Sequence, residues 1–226
     1  MKIAVIGTGM VGRAVASRLA ELGHDVVVGT RDVERTLARS GTAWQNAAPN
    51  TKLVSLPEAG AHADLLVNAT HGANSLEALE AVGRPHLAGK VLLDLALPLD
   101  LSQGIPPKLL VANDDSLGEQ IQRAFPEARV VKSLNTVFYK VMIDPGRVPG
   151  RHNIFVAGDD ADAKQQVRVL LNGFGWPLDD IIDLGGIQSA RSTEMYMQLY
   201  FNLVGVLGDS FDFNIAVMRR QDGVGR

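Results

Sequence analysis

Near the start of the chain the apolar run Lys2–Ile6 leads into Gly7-Thr8-Gly9-Met10-Val11-Gly12, and a segment of helical period, RAVASRLAEL, follows at once. Strand, spaced glycines and helix in immediate succession admit few folds, because the backbone must turn sharply and the helix must then lie close against the strand it has just left. The first glycine permits the turn, the second lets backbone approach a ligand, and the third lets helix and strand touch, while the free N–H groups at the helix start attract an anion. The pyrophosphate of a dinucleotide uses all of these properties, so Gly7, Thr8, Gly9, Met10, Val11 and Gly12 are read as its cradle.

The rest of the chain continues in the same rhythm. Apolar, β-branched runs recur at DVVVGT (25–30), KLVSL (52–56), DLLVNAT (64–70), KVLLDLAL (90–97), RVVKSL (129–134), NIFVAG (153–158) and DIIDLG (180–185). Segments of helical period lie between them, and the spacing predicts helices over 74–82, 116–124 and 161–173. Ser116 and Glu119 are spaced as a capping box. The expected fold class is α/β, a Rossmann-like doubly wound parallel sheet with a short C-terminal helical segment. Residues 98–114, with Pro98, Pro106 and Pro107, form the longest unpatterned loop. From residue 187 the sequence turns rich in methionine, aromatics and glycine, a tail suited either to finishing the core or to covering a bound ring.

Composition narrows the function. A formal charge of -3 over 226 residues, with no long run of Lys or Arg, leaves no footprint for a nucleic-acid partner. The absence of cysteine excludes disulfides, thiolate metal sites and a thiol nucleophile. The chain enters an apolar strand at residue 3 with no basic leader, and its longest apolar stretch, Met195–Leu207, is interrupted by Gln198 and Asn202. These features predict a cytoplasmic protein without a membrane span.

The tip of the second strand selects the dinucleotide. About 20 residues beyond the glycines a carboxylate usually accepts the adenosine ribose hydroxyls. Here the chain reads Thr30-Arg31, with Arg35 one turn on. A hydroxyl and two guanidiniums would present donors and positive charge to a 2'-phosphate, so the expected cofactor is NADP(H). Asp32 precedes VERTLA and is expected to cap that helix.

No catalytic acid, base or nucleophile stands out. None of Tyr139, Tyr196 and Tyr200 has Lys four residues on, His24, His62, His71, His86 and His152 show no metal-ligand spacing, and Gly-x-Ser-x-Gly is absent. No residue is therefore assigned a catalytic or metal-binding role. Hydride transfer between two apposed rings needs position above all and is compatible with this inventory. Two alternatives stay open: reduction of another flavin, a quinone or a small carbonyl by NADPH, and a non-catalytic NADPH sensor.

The stretches MKIAVIGTGMVGRAVASRLAELGHDVVVGTRD, LLVNAT, ARVVKSLNTVFYKVM, FVAGDD and DLGGIQSAR, in this order, resemble the NADPH-dependent coenzyme F420 reductases across nearly the whole chain. The resemblance implies NADP(H) and the deazaflavin coenzyme F420 as the reacting pair, and a homodimer, with 1–186 as the NADP-binding Rossmann domain and 187–226 as a helical tail that completes the second-substrate site and the dimer contact. It places Ala69, Thr70 and Asn135 near the nicotinamide, with Thr136, Ser189 and Arg191 toward the deazaflavin. Arg191 is also spaced to pair with Glu194 along a helix.

Overall fold

The computed structural model describes residues 1–40, 44, 46, 48–208 and 210–219. Strands β1 (Lys2–Ile6), β2 (Asp25–Thr30), β3 (Lys52–Ser55), β4 (Leu65–Asn68), β5 (Val91–Asp94), β8 (Arg129–Ser133), β9 (Ile154–Ala157) and β10 (Ile181–Asp183) form one sheet in the order β10-β9-β8-β5-β4-β1-β2-β3. A further pair, β6 (Leu99–Asp100) and β7 (Lys108–Leu109), makes a small hairpin inside the segment expected to be unpatterned. The main helices are α1 (Met10–Glu21), α2 (Val33–Ser40), α3 (Leu56–His62), α4 (Ser75–Val82), α5 (Arg84–Leu87), α6 (Leu117–Ala124), α7 (Tyr139–Ile143), α8 (Ala161–Phe174), α9 (Ala190–Met195) and α10 (Met197–Val206).

The strands are buried because helices cover both faces. Alternation sends Ile3, Val5, Leu65, Val67, Val91 and Leu93 into one core with Val15 and Leu19 of α1 and Val167 and Leu171 of α8. Ala4, Ile6, Leu66 and Leu92 enter a second core with Ala59 of α3, Leu79 of α4 and Ile121 of α6. Burial on both sides is why these strands read as continuous apolar runs rather than alternating ones.

Pairing from β3 through β8 is parallel throughout, and the order reverses between β1 and β4. The fully parallel sheet expected from the sequence is corrected at one point: β9 runs antiparallel to β8, with Lys132 opposite Ala157. The reversal brings residue 153 and the chain before it to the carboxyl edge of the sheet. The described tail is helical only as far as α10. Residues 210–219 run without regular structure back toward β9, where Asn153 N–H donates to the Ile215 carbonyl at 3.0 Å and Val217 N–H donates to Asn153 Oδ1 at 2.7 Å. Residues 220–226 lie outside the described part. No helix among the described residues is long and apolar enough to cross a membrane.

Capping also departs from expectation. Ser116 caps α6 by accepting the Glu119 N–H at 3.2 Å, but the Glu119 carboxylate takes the Ser116 hydroxyl at 2.8 Å instead of the Ser116 backbone. The reciprocal capping box lies at Ser55 and Glu58, which start α3.

A candidate cofactor cleft and its neighbouring acceptor face

The cleft opens at the carboxyl ends of β1, β2 and β4, where the strand order reverses and open α/β sheets hold their ligands. It has a volume of about 600 Å³ and brings together Gly7, Thr8, Gly9, Thr30, Arg31, Arg35, Ala69 and Thr70 from the sequence-predicted set. Gly7 has φ +123°, a conformation that side chains avoid. A Cβ on Gly12 would stand 2.0 Å from the Gly7 carbonyl oxygen, so α1 can approach the turn only at glycine. Gly9 differs from both, because its Cβ would meet nothing within 4 Å. The open space beside Gly9, at the start of α1, fits a pyrophosphate. Met10 projects its side chain outward at 64% exposure and Val11 packs on the core, so these two can contribute only backbone to the cradle.

At the far end of the cleft the positive charge comes from arginines. Arg39 joins Arg31 and Arg35 along the lining. Sequence reasoning missed it, although Arg35 and Arg39 stand four residues apart in α2, the spacing that stacks side chains on one helix face. Asp32 is occupied as expected, its Oδ1 accepting the Arg35 N–H at 2.8 Å. The Thr30 hydroxyl lies 2.9 Å from that of Thr36, which itself donates to the Asp32 carbonyl at 2.7 Å. Thr30 thus helps to shape the strand tip while still lining the cleft beside the guanidiniums. His71, Asn74 and Glu77 line the opposite wall beyond Thr70.

Asn135 and Thr136 lie elsewhere, at the carboxyl end of β8, and each is 2% exposed. Asn135 Nδ2 and Thr136 Oγ1 are buried without a hydrogen-bond partner among the described residues. The preceding residue, Leu134, is buried with φ +63°, which costs about 1 kcal/mol or more for a residue with a Cβ. A short distance along, Phe138 meets Phe211 with ring centroids 5.1 Å apart. Phe211 belongs to a third apolar cluster in which Met197, Tyr200 and Val204 of α10 pack with Phe213 and with Leu99 and Leu109 of the hairpin. The unpatterned loop and the tail therefore fold on each other.

Arg191 does not pair with Glu194; it reaches Glu119 of α6, with Nε to Oε2 at 2.8 Å and Nη2 to Oε1 at 2.6 Å. This forked contact holds the Glu119 carboxyl below its usual range. Glu194 accepts the backbone N–H groups of Leu117 and Gly118 at 2.8 and 3.0 Å and meets Lys132 at 2.9 Å. Ser189 donates to the Leu184 carbonyl at 2.8 Å. Neither Ser189 nor Arg191 lines the cleft described above.

Strand order, glycine turn and arginine-lined cleft together define the class: an NADP-dependent oxidoreductase built on a Rossmann-like sheet. The family described as "NADP oxidoreductase coenzyme F420-dependent" matches residues 2–98. A solved structure of a candidate F420-dependent NADP-reductase from Arthrobacter sp. FB24 is 51% identical, with a TM-score of 0.92, covering 97% of this chain and 100% of that one. The F420-dependent NADP reductase of Methanocaldococcus jannaschii is 28% identical over 212 residues, covering 90% of this chain and 92% of that protein. Rat metalloreductase STEAP3 is 28% identical over 194 residues, and this chain spans 36% of its length. The chain belongs to the coenzyme F420-dependent NADP oxidoreductase family.

Proposed function

We propose that the protein transfers hydride between NADP(H) and a deazaflavin, coenzyme F420, as a cytoplasmic homodimer, with residues 187–226 completing the deazaflavin site. The observation that carries this reading is the pair of unspent buried polar groups, Asn135 Nδ2 and Thr136 Oγ1, on the same edge of the sheet as an arginine-lined dinucleotide cleft. When bound, NADPH supplies the hydride and the deazaflavin ring accepts it. The chain supplies position. Backbone at Gly7, Thr8 and Gly9 and the start of α1 holds the pyrophosphate, Arg31, Arg35 and Arg39 hold the 2'-phosphate, and Ala69 and Thr70 bound the cleft near the nicotinamide. Asn135 and Thr136 offer an amide donor and a hydroxyl to the polar edges of the two rings, fixing their approach and excluding water.

The homodimer rests on exposed apolar side chains of the C-terminal segment, Leu199, Val206, Leu207, Val217 and Met218. Their concentration in one stretch is the pattern of an unpartnered surface.

One observation favours the alternative of a small carbonyl acceptor, which would take a proton on oxygen along with the hydride. The Tyr196 and Tyr200 hydroxyls are buried without partners among the described residues, and burial raises both phenol pKa values, so both stay protonated donors at neutral pH. The test is kinetic. Asn135→Leu is expected to lower kcat with coenzyme F420 by tenfold or more while NADPH binds within threefold of the parent, whereas Tyr196→Phe leaves F420 turnover unchanged. The opposite pattern, with Tyr196→Phe the damaging change, would favour a proton-requiring acceptor.

A further inference from the structure

We infer that Lys132 is a positioning residue for the hydride transfer proposed above: its buried ammonium registers the turns after β4 and β5 against the C-terminal segment, and so sets the acceptor face relative to the cofactor cleft. The inference rests on that functional reading but is carried by separate geometry. Lys132 is 1% exposed, and its three N–H donors meet three acceptors from two parts of the fold, the end of β5 with the turn after it and α9. Asp94 Oδ2, at the end of β5, is 2.9 Å away; Glu194 Oε1, in α9, is also 2.9 Å away; the third acceptor is the Ala96 carbonyl in the turn that follows β5.

From these contacts an unbroken hydrogen-bond chain leads to the cleft. Asp94 Oδ1 accepts from the Ala96 N–H at 3.2 Å and from Asn68 Nδ2 at 2.8 Å. Asn68 Oδ1 in turn accepts the Thr70 hydroxyl at 2.7 Å, and Thr70 lines the cleft. On the other side Glu194 takes the first N–H groups of α6, and a Cβ on Gly118 there would lie 3.0 Å from Ala190 Cβ, so α6 and the C-terminal segment are in direct contact. Lys132 also sits three residues before Asn135 on the same chain, across the left-handed Leu134.

Burial works against the charge on Lys132, and the facing Asp94 and Glu194 carboxylates more than offset it, so its pKa is raised. Cohesion alone does not explain such a cluster, because well-packed neutral groups of similar volume serve stability as well or better. What the charges add is fixed geometry among segments distant in sequence.

Lys132→Met alone would strand two buried carboxylates, so the test uses the triple variant Asp94→Asn, Lys132→Met, Glu194→Gln, which removes every charge at similar volume. It is expected to unfold at or above the parent's temperature, to bind NADPH within threefold, and to lose at least tenfold in kcat with coenzyme F420. Amide hydrogen exchange supplies a readout that needs no acceptor: NADPH is expected to slow exchange over residues 187–206 in the parent and not in the triple variant. A folded triple variant with parental kcat and parental exchange coupling would overturn the inference. If the parent transfers no hydride to F420 while the exchange contrast holds, the functional reading fails and the positioning role stands. If the triple variant does not fold, Glu194→Gln decides, since it removes the charge at similar volume and keeps an oxygen for one of the two N–H groups, those of Leu117 and Gly118, that Glu194 accepts: lower kcat with lost exchange coupling supports the role, and parental values of both overturn it.

Discussion

Gly9 and Gly12 lack a side chain for opposite reasons. At Gly12 the added Cβ collides with the Gly7 carbonyl, whereas at Gly9 it enters open space. Gly12→Ala is therefore expected to destabilise the fold by ~3 kcal/mol, on the scale of a severe core overpacking. Gly9→Ala should keep parental stability in thermal unfolding and weaken NADPH binding about tenfold or more, which isothermal titration would read. Charge reversal at Arg31 tests the other end of the cleft. Arg31→Glu is expected to weaken NADPH binding by ~2 kcal/mol, about 30-fold, through loss of a charge-assisted contact and added repulsion, and to leave NADH binding unchanged or improved. An unchanged NADPH dissociation constant would remove Arg31 from the site. At this scale the sequence was most informative where backbone geometry dictates residue type, as in the glycine turn, and where an Asp precedes a helix, as at Asp32. It was least informative where a hydroxyl has several uses: nothing local shows that Thr30 meets Thr36.

Among elements, α6 and the C-terminal segment are joined by ions far apart in sequence. Arg191 holds Glu119 from 72 positions away, while the nearer Glu194 lies under Lys132. Helical spacing could not reveal this, because a partner three residues away is always legible and one across the fold is not. The strand direction of β9 was hidden for a related reason: both faces of the sheet are buried, so a reversed strand carries the same apolar run as a parallel one. The hairpin of β6 and β7 was hidden by its brevity and prolines, and its packing against α10 could be seen only once both were placed. The ion pairs on α6 also set a pH dependence. Arg191 holds the Glu119 carboxyl below its usual range, and hydrogen bonds from Arg123, against an opposing desolvation, bring Asp115 down to about 2. Folded-state pKa values depressed in this way contribute stability above the ordinary carboxylate range and lose it as pH falls toward about 2. Circular dichroism along an acid titration is expected to show a flatter decline for the double variant Asp115→Asn, Glu119→Gln than for the parent; parallel curves would contradict the assignment.

At the scale of the whole molecule, a chain with a formal charge of -3 gathers Arg31, Arg35 and Arg39 at one end of a cleft and places unspent polar groups at the end of β8. The fold class and the cleft at the switch point, with Gly7, Gly9, Thr30, Arg31 and Arg35 along it, were visible in the residues, because glycine spacing and strand rhythm each have a local physical cause. The third apolar cluster was not, since it is assembled from the hairpin, α10 and a tail that returns across the carboxyl edge. The reacting pair is the central claim to be tested. The most direct measurement follows the visible absorbance of oxidised coenzyme F420 after mixing with the protein and NADPH, with NADH in parallel. Bleaching with NADPH and far less with NADH is the predicted result; persistent absorbance in a sample shown by titration to bind NADPH would contradict the proposed hydride transfer to the deazaflavin.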